Sequence, residues 1–245
     1  MSVPRVSMED NRIVHGVAAG ASLVIALALV TVALAQASPL LPVALTFRLG
    51  GPGVFASVDL ALAAAVVMIV AALARLAIAL PGVGGRRVTV VGARMLELSQ
   101  TSAITVFLVA QLNGVVEAGT LILVYAIAAS AVGVLWMHSR APQPAQRSAW
   151  PYSLGAAVAV VPWGIVALYQ IAGLLSPTPA PALVRVLTIV LLVLAAAAWA
   201  VERLVHRGQL DRARAELAHV IIQVGTGIAL VLLVVGLARP SALLP

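Results

Sequence analysis

Apolar positions along the chain fall into seven long runs, residues 13–36, 58–80, 90–112, 117–137, 152–175, 183–202 and 216–238, separated by short polar breaks. Each run is close to the ~20 residues that an α-helix needs to cross ~30 Å of hydrocarbon. None shows the two-residue alternation of a barrel strand, and lipid-facing backbone must form either helices or a closed barrel. The pattern therefore predicts an all-α bundle of seven transmembrane helices, with residues 1–245 forming a single transmembrane domain. Short breaks such as Asn113-Gly114 and Ser176-Pro177-Thr178-Pro179 make neighbouring helices antiparallel. The longest break, residues 37–57, contains the alternating stretch Leu45-Thr46-Phe47-Arg48-Leu49 followed by Gly50-Gly51-Pro52-Gly53, which predicts a short hairpin in the first extracellular loop. Ala35-Gln36-Ala37 has the small-x-small spacing of a signal-peptide cleavage site. The apolar stretch before it exceeds the ~7–15 residues of a signal core, so it is expected to remain as the first span. No internal repeat is evident, which argues against a transporter built from inverted halves.

Composition strengthens this reading. The chain is 62% hydrophobic and 9% charged, with mean hydropathy +1.12, whereas soluble domains run near ~25% charged. All 15 basic residues are Arg, and there is no Lys. With the N-terminus in the cytoplasm, Arg5, Arg12, Arg86, Arg87, Arg94, Arg140, Arg147, Arg203, Arg207, Arg212 and Arg214 fall on the inner side. Only Arg48, Arg185 and Arg239 then fall outside. That bias predicts an inner or plasma membrane protein with a cytoplasmic N-terminus and an external C-terminus. Arg residues spread over the N-terminus and three short loops are what topology requires, so no nucleic-acid partner is expected. The lack of Cys removes disulfides, thiol nucleophiles and Cys-based metal sites. His15, His138, His206 and His219 lie near span ends without metal-ligand spacing, so no metal site is expected.

An ionisable group inside a span is costly and marks a candidate site. Arg75, Arg94 and Glu97 qualify, with Glu97 the only carboxylate read as clearly inside a span. Arg94 and Glu97 are three residues apart on one helix face, and Glu97 can also meet Arg75 across the bundle. A structural ion pair and a proton- or ligand-facing carboxylate both remain open. Ser99, Gln100, Thr101, Ser102 and Gln111 follow along the third span, with Gln223 and Thr226 on the seventh. Such hydroxyls and amides more often join helices than line a path. Gly16 and Gly20 form a small-xxx-small pair, and Pro162 beside Trp163 implies a kink in the fifth span. No metalloprotease, nucleophile-elbow or phosphate-loop motif occurs, so no enzyme is expected.

The sequence resembles the heliorhodopsin family at Asn11-Arg12-Ile13, Gly51-Pro52-Gly53, Ala110-Gln111-Leu112-Asn113-Gly114, Val161-Pro162-Trp163 and Ala215-Glu216-Leu217-Ala218-His219. It does so above all across Arg94-Met95-Leu96-Glu97-Leu98-Ser99, where the family shows Arg-Trp-x-Glu-Tyr-Ser. The resemblance implies that Glu97 stands at the Schiff-base counter-ion, Arg94 at its neighbouring arginine and Gly227 at the retinal lysine. Arg75 stands where a histidine is frequent, and Ala195-Ala196-Ala197-Ala198 where the sixth helix carries bulky pocket residues. Ser99, Gln100, Trp163, Ala198, Trp199, Gln223 and Thr226 are then candidate pocket residues. A chain without Lys cannot form a retinal imine, so no covalent cofactor is expected, and a non-covalent retinal or lipid-like ligand stays open. The expectation is a retinal-free, heliorhodopsin-like sensory, regulatory or scaffolding protein that forms a homodimer, with a cytoplasmic protein partner left open. The rivals are a photoreceptor that holds retinal or another polyene non-covalently, and a proton or small-solute conductor centred on Glu97.

Overall fold

A computed structural model describes residues 8–35, 38–47, 51–80, 87–139, 150–176 and 179–238. Among these, seven helices are long and apolar enough to cross a membrane: α1 (Met8–Leu34), α2 (Leu60–Ala79), α3 (Arg87–Leu112), α4 (Ala118–Ser139), α5 (Trp150–Leu174), α6 (Ala182–His206) and α7 (Arg212–Gly236). Two antiparallel strands, β1 (Leu40–Phe47) and β2 (Gly51–Asp59), stand between α1 and α2. The chain is therefore a seven-helix bundle with one extramembrane hairpin. The cleavage-like triplet extends outside the described residues, as do Arg5, Arg48, Arg86, Arg140, Arg147 and Arg239 among the arginines used for orientation.

The hairpin is longer than the sequence pattern predicts, running to Asp59 and so delaying α2 to Leu60. Its register shifts between Val43 and Ala44, where Phe55 is left without a partner and protrudes. Such a bulge bends a ribbon and increases its twist. Asp59 then caps α2 by accepting from the Leu62 amide at 2.9 Å, while Ser38 accepts from the Ala61 amide at 2.9 Å. The Ala44 amide donates to Val116 O at 2.7 Å, and Gln111 Nε2 donates to Pro42 O at 3.4 Å. The hairpin is thereby tied to the α3–α4 turn, where Gly114 takes φ +97°, a conformation that favours glycine. Glu117 starts α4: its carboxylate accepts from the Thr120 amide at 2.6 Å, and these end-of-helix bonds hold its pKa below the usual carboxylate value.

The two halves of the bundle differ in chemistry. Beneath the hairpin, α1–α4, α6 and α7 pack Leu29, Leu60, Leu108, Leu121, Leu191, Leu230 and Leu233 with almost no exposure. Its chief polar link joins Asn113 Nδ2 to Thr188 Oγ1 at 2.9 Å. Charged side chains occupy the opposite half. α5 is the least buried helix and meets α6 through Tyr152, whose ring lies edge-on to Trp199 at 5.7 Å. It runs through Pro162 from Trp150 to Leu174 as one helix.

Candidate functional site

Five helices bring seven ionisable side chains together in the half away from the hairpin: His15 from α1, Arg75 from α2, Arg94 and Glu97 from α3, Glu202 from α6, and Glu216 and His219 from α7. Every one of them is at most 7% exposed. Arg75 Nε donates to Glu97 Oε1 at 2.9 Å, and its Nη1 lies 3.9 Å from Glu216 and 3.5 Å from His15 Nδ1. His15 Nε2 is 4.0 Å from the same Glu216 oxygen. Arg94 forks between Glu216 at 2.5 Å and Glu202 at 2.9 Å, and Glu202 in turn lies 3.0 Å from His219 Nε2. The result is a continuous chain of alternating charge, Glu97–Arg75–Glu216–Arg94–Glu202, with an imidazole beside two of its links.

This geometry corrects the sequence reading in three places. Glu97 is not the lone buried carboxylate, because α6 extends to His206 and α7 starts at Arg212, enclosing Glu202 and Glu216 in the bundle. Hydropathy trims a span where charges begin, yet these charges are paired rather than solvated. Arg94 does not use its same-face neighbour Glu97 but reaches α6 and α7, leaving Glu97 to Arg75. His15 and His219, set aside for lack of spacing, belong to the cluster; among the described residues they still form no metal-binding group. The signal that could have found the missing members is the i, i+3 pair Glu216/His219 on one helix face, which matches Arg94/Glu97.

Beside the cluster lies a largely apolar cavity of about 420 Å³ between α3, α4, α5, α6 and α7. Trp163, Ala198, Trp199, Gln223 and Thr226 line it, together with Thr101, Tyr152 and Arg203. A void of about 20 Å³ bounded by Arg75, Arg94, Glu97 and His219 shares Leu98, Thr101, Ala198, Ile222 and Gln223 with the cavity wall. It is of the order of one water molecule in size, and the buried Glu97 Oε2 has no hydrogen-bond partner in the structure. Two pocket candidates lie elsewhere. Ser99 turns to α4 and donates to Ala129 O at 3.2 Å, and Gln100 accepts from Tyr125 at 2.5 Å. Both amino acids serve helix packing.

Gly227 does not line the cavity. A Cβ built on it would stand 2.8 Å from Met68 Cε, 3.0 Å from Met68 Sδ and 3.3 Å from Ile25 Cδ1. Met68 is fully buried and reaches from α2 towards α7, its sulfur 3.9 Å from Gln223 Nε2. An unbranched, flexible thioether fills the space where a side chain at 227 would begin. The residues present do not fit covalent retinal: the chain has no lysine amine, and at the place that the resemblance gives to it stands a glycine with the Met68 thioether packed against it.

A family model described as Heliorhodopsin matches residues 12–232. Among solved structures, the fold is similar to the light-driven proton pump LR (Mac) from Leptosphaeria maculans, with a TM-score of 0.71 at 13% identity over 96% of this chain and 95% of that one. It is also similar to the transmembrane domain of the Salpingoeca rosetta rhodopsin phosphodiesterase, with a TM-score of 0.70 at 12% identity over 92% of this chain and 83% of the other. At such identities these two likenesses bear on fold alone. No curated protein matches.

Proposed function

The chain belongs to the heliorhodopsin family, and from that premise we propose that this rhodopsin-type, multi-pass membrane protein works without covalently bound retinal, as a sensory, regulatory or scaffolding partner rather than a pigment or catalyst. One observation carries the reading: all 15 basic residues are Arg, so no side chain can form the imine. Met68 packed against Gly227 supports it from the structural side. The Arg distribution supports a cytoplasmic N-terminus, and Gly16 and Gly20, both exposed on α1, offer a close-approach face for a homodimer. The test is expression with all-trans-retinal followed by borohydride reduction. The expected outcome is no hydroxylamine-sensitive red-shifted band and no retinyl adduct by mass; a retinyl-protein mass would overturn the reading.

The cavity favours a second reading, in which the protein responds to a ligand held without a bond. Its volume lies within the ~300–1,000 Å³ of ordinary small-molecule sites, and its walls are mainly apolar with a few polar groups, as in such sites. Retinal or another polyene is one class of occupant. An absorbance that co-purifies with the protein, gives no protein adduct by mass after borohydride and is released into organic solvent on denaturation would identify it.

A further inference from the structure

We infer that the cavity takes a single-chain amphiphile with a carboxylate head, seated on Arg203 and Tyr152; this rests on the reading that no covalent chromophore fills the space. Three observations point the same way. The cavity is elongated, following α6 from Leu191 to Arg203, roughly 18 Å of helix at 1.5 Å per residue. Its walls are apolar along that length, which suits one hydrocarbon chain. It also reaches the lipid-facing surface, because the lining residues Val160 on α5 and Leu192 and Ala196 on α6 are exposed there. A chain dissolved in the bilayer can enter without crossing water.

The head group is set by Arg203. Its guanidinium carbon sits 5.0 Å from the centre of the Tyr152 ring, and Tyr152 is itself fixed by its hydroxyl, which donates to Trp199 O at 2.6 Å. Among the described residues no carboxylate lies within ion-pair distance of Arg203, whereas Arg75 and Arg94 in the neighbouring cluster are both paired. A guanidinium keeps its charge at any biological pH, and its planar fork matches a carboxylate. Stacking on Tyr152 holds that fork in place without using its N–H groups. A neutral aldehyde or alcohol would leave this cation unmatched at the mouth of an apolar cavity, whereas a fatty acid or a carboxylated polyene would complete it.

The experiment uses the full chain in phosphatidylcholine nanodiscs with cis-parinaric acid as probe, read by energy transfer from Trp163 and Trp199. Competitors are palmitate, all-trans-retinoic acid, hexadecanol and all-trans-retinal. Both acids should displace the probe at least roughly tenfold better than the alcohol or the aldehyde, in line with a charge-assisted hydrogen bond. Palmitate against retinoate separates the two sources of the same head group. Arg203→Gln should weaken both acids about tenfold and leave hexadecanol unchanged, while Arg203→Lys keeps part of the preference; Ala195→Phe should block acid and alcohol alike. Equal competition by acid and alcohol, or an Arg203→Gln variant that binds acids as the parent does, overturns the carboxylate assignment while the cavity reading survives. Absence of probe binding, or binding that Ala195→Phe does not reduce, overturns both.

Discussion

Glu97 offers one oxygen to Arg75 at 2.9 Å in surroundings where both side chains are almost wholly buried. Removing one partner of a buried pair strands the other charge at a cost of about 3–5 kcal/mol. Glu97→Gln should therefore lower the melting temperature measured in detergent, and adding Arg75→Gln should recover part of the loss. Adding Arg94→Gln should deepen it instead, because Arg94 answers Glu202 and Glu216. Equal rescue by the two arginine variants would count against this pairing. The sequence made Arg75, Arg94 and Glu97 legible because a charge inside an apolar run stands out. Glu202, Glu216 and His219 were hidden by standing at the ends of runs, where a charge facing water and a charge facing a partner look the same. Which arginine meets which carboxylate depends on helix rotation and inter-helix distance, and neither is written in a one-dimensional pattern.

At the scale of elements, α7 faces α2 through Gly227, where the end of the Met68 side chain lies against the glycine. Gly227→Lys alone should give less retinal adduct than a variant in which Met68 is also shortened, since its Cβ would meet the terminal methyl of Met68 at 2.8 Å and that thioether must swing aside. Gly227→Lys with Met68→Ala opens the slot and should give a borohydride-trappable adduct, read by mass; adduct formation at equal yield in the single variant would show that Met68 moves aside freely. α1 presents the opposite case. Cβ atoms built at Gly16 and Gly20 meet nothing within 4 Å, so Gly16→Leu with Gly20→Leu should leave the melting temperature of the fold nearly unchanged. If this face joins two copies, light scattering should show the dimer parent converted to monomer in the double variant. A small-xxx-small pair reads the same in sequence whether it packs inside the bundle or outside it, and the structure finds no neighbour for it within the chain. Helix number and order, by contrast, were plain from apolar runs alone, because the length of a span is dictated by the bilayer rather than by packing.

Across the whole molecule, the absence of Cys makes topology easy to test. A single Gln209→Cys, in the turn between α6 and α7, should react with an impermeant maleimide only after cells are opened. Leu175→Cys, at the other end of α5, should react in intact cells; the reverse pattern would invert the orientation drawn from the Arg bias. The separation of the bundle into an ionic half and an apolar half has an electrical consequence. Three buried carboxylates would make a natural relay if they continued across the membrane, but beneath the hairpin they meet a leucine-packed layer that includes Leu29, Leu108, Leu230 and Leu233. An ion or proton leaving Glu97 towards that side would meet only scattered hydroxyls and amides, Thr105 and the Asn113–Thr188 pair among them, set in that layer, and would shed most of its hydration at a penalty of several kcal/mol. Proteoliposomes carrying the chain should therefore leak protons no faster than empty vesicles under an imposed potential. On this account the layer is a dielectric plug, and charge movements in the cluster should stay confined to one face of the membrane, which the vesicle measurement checks.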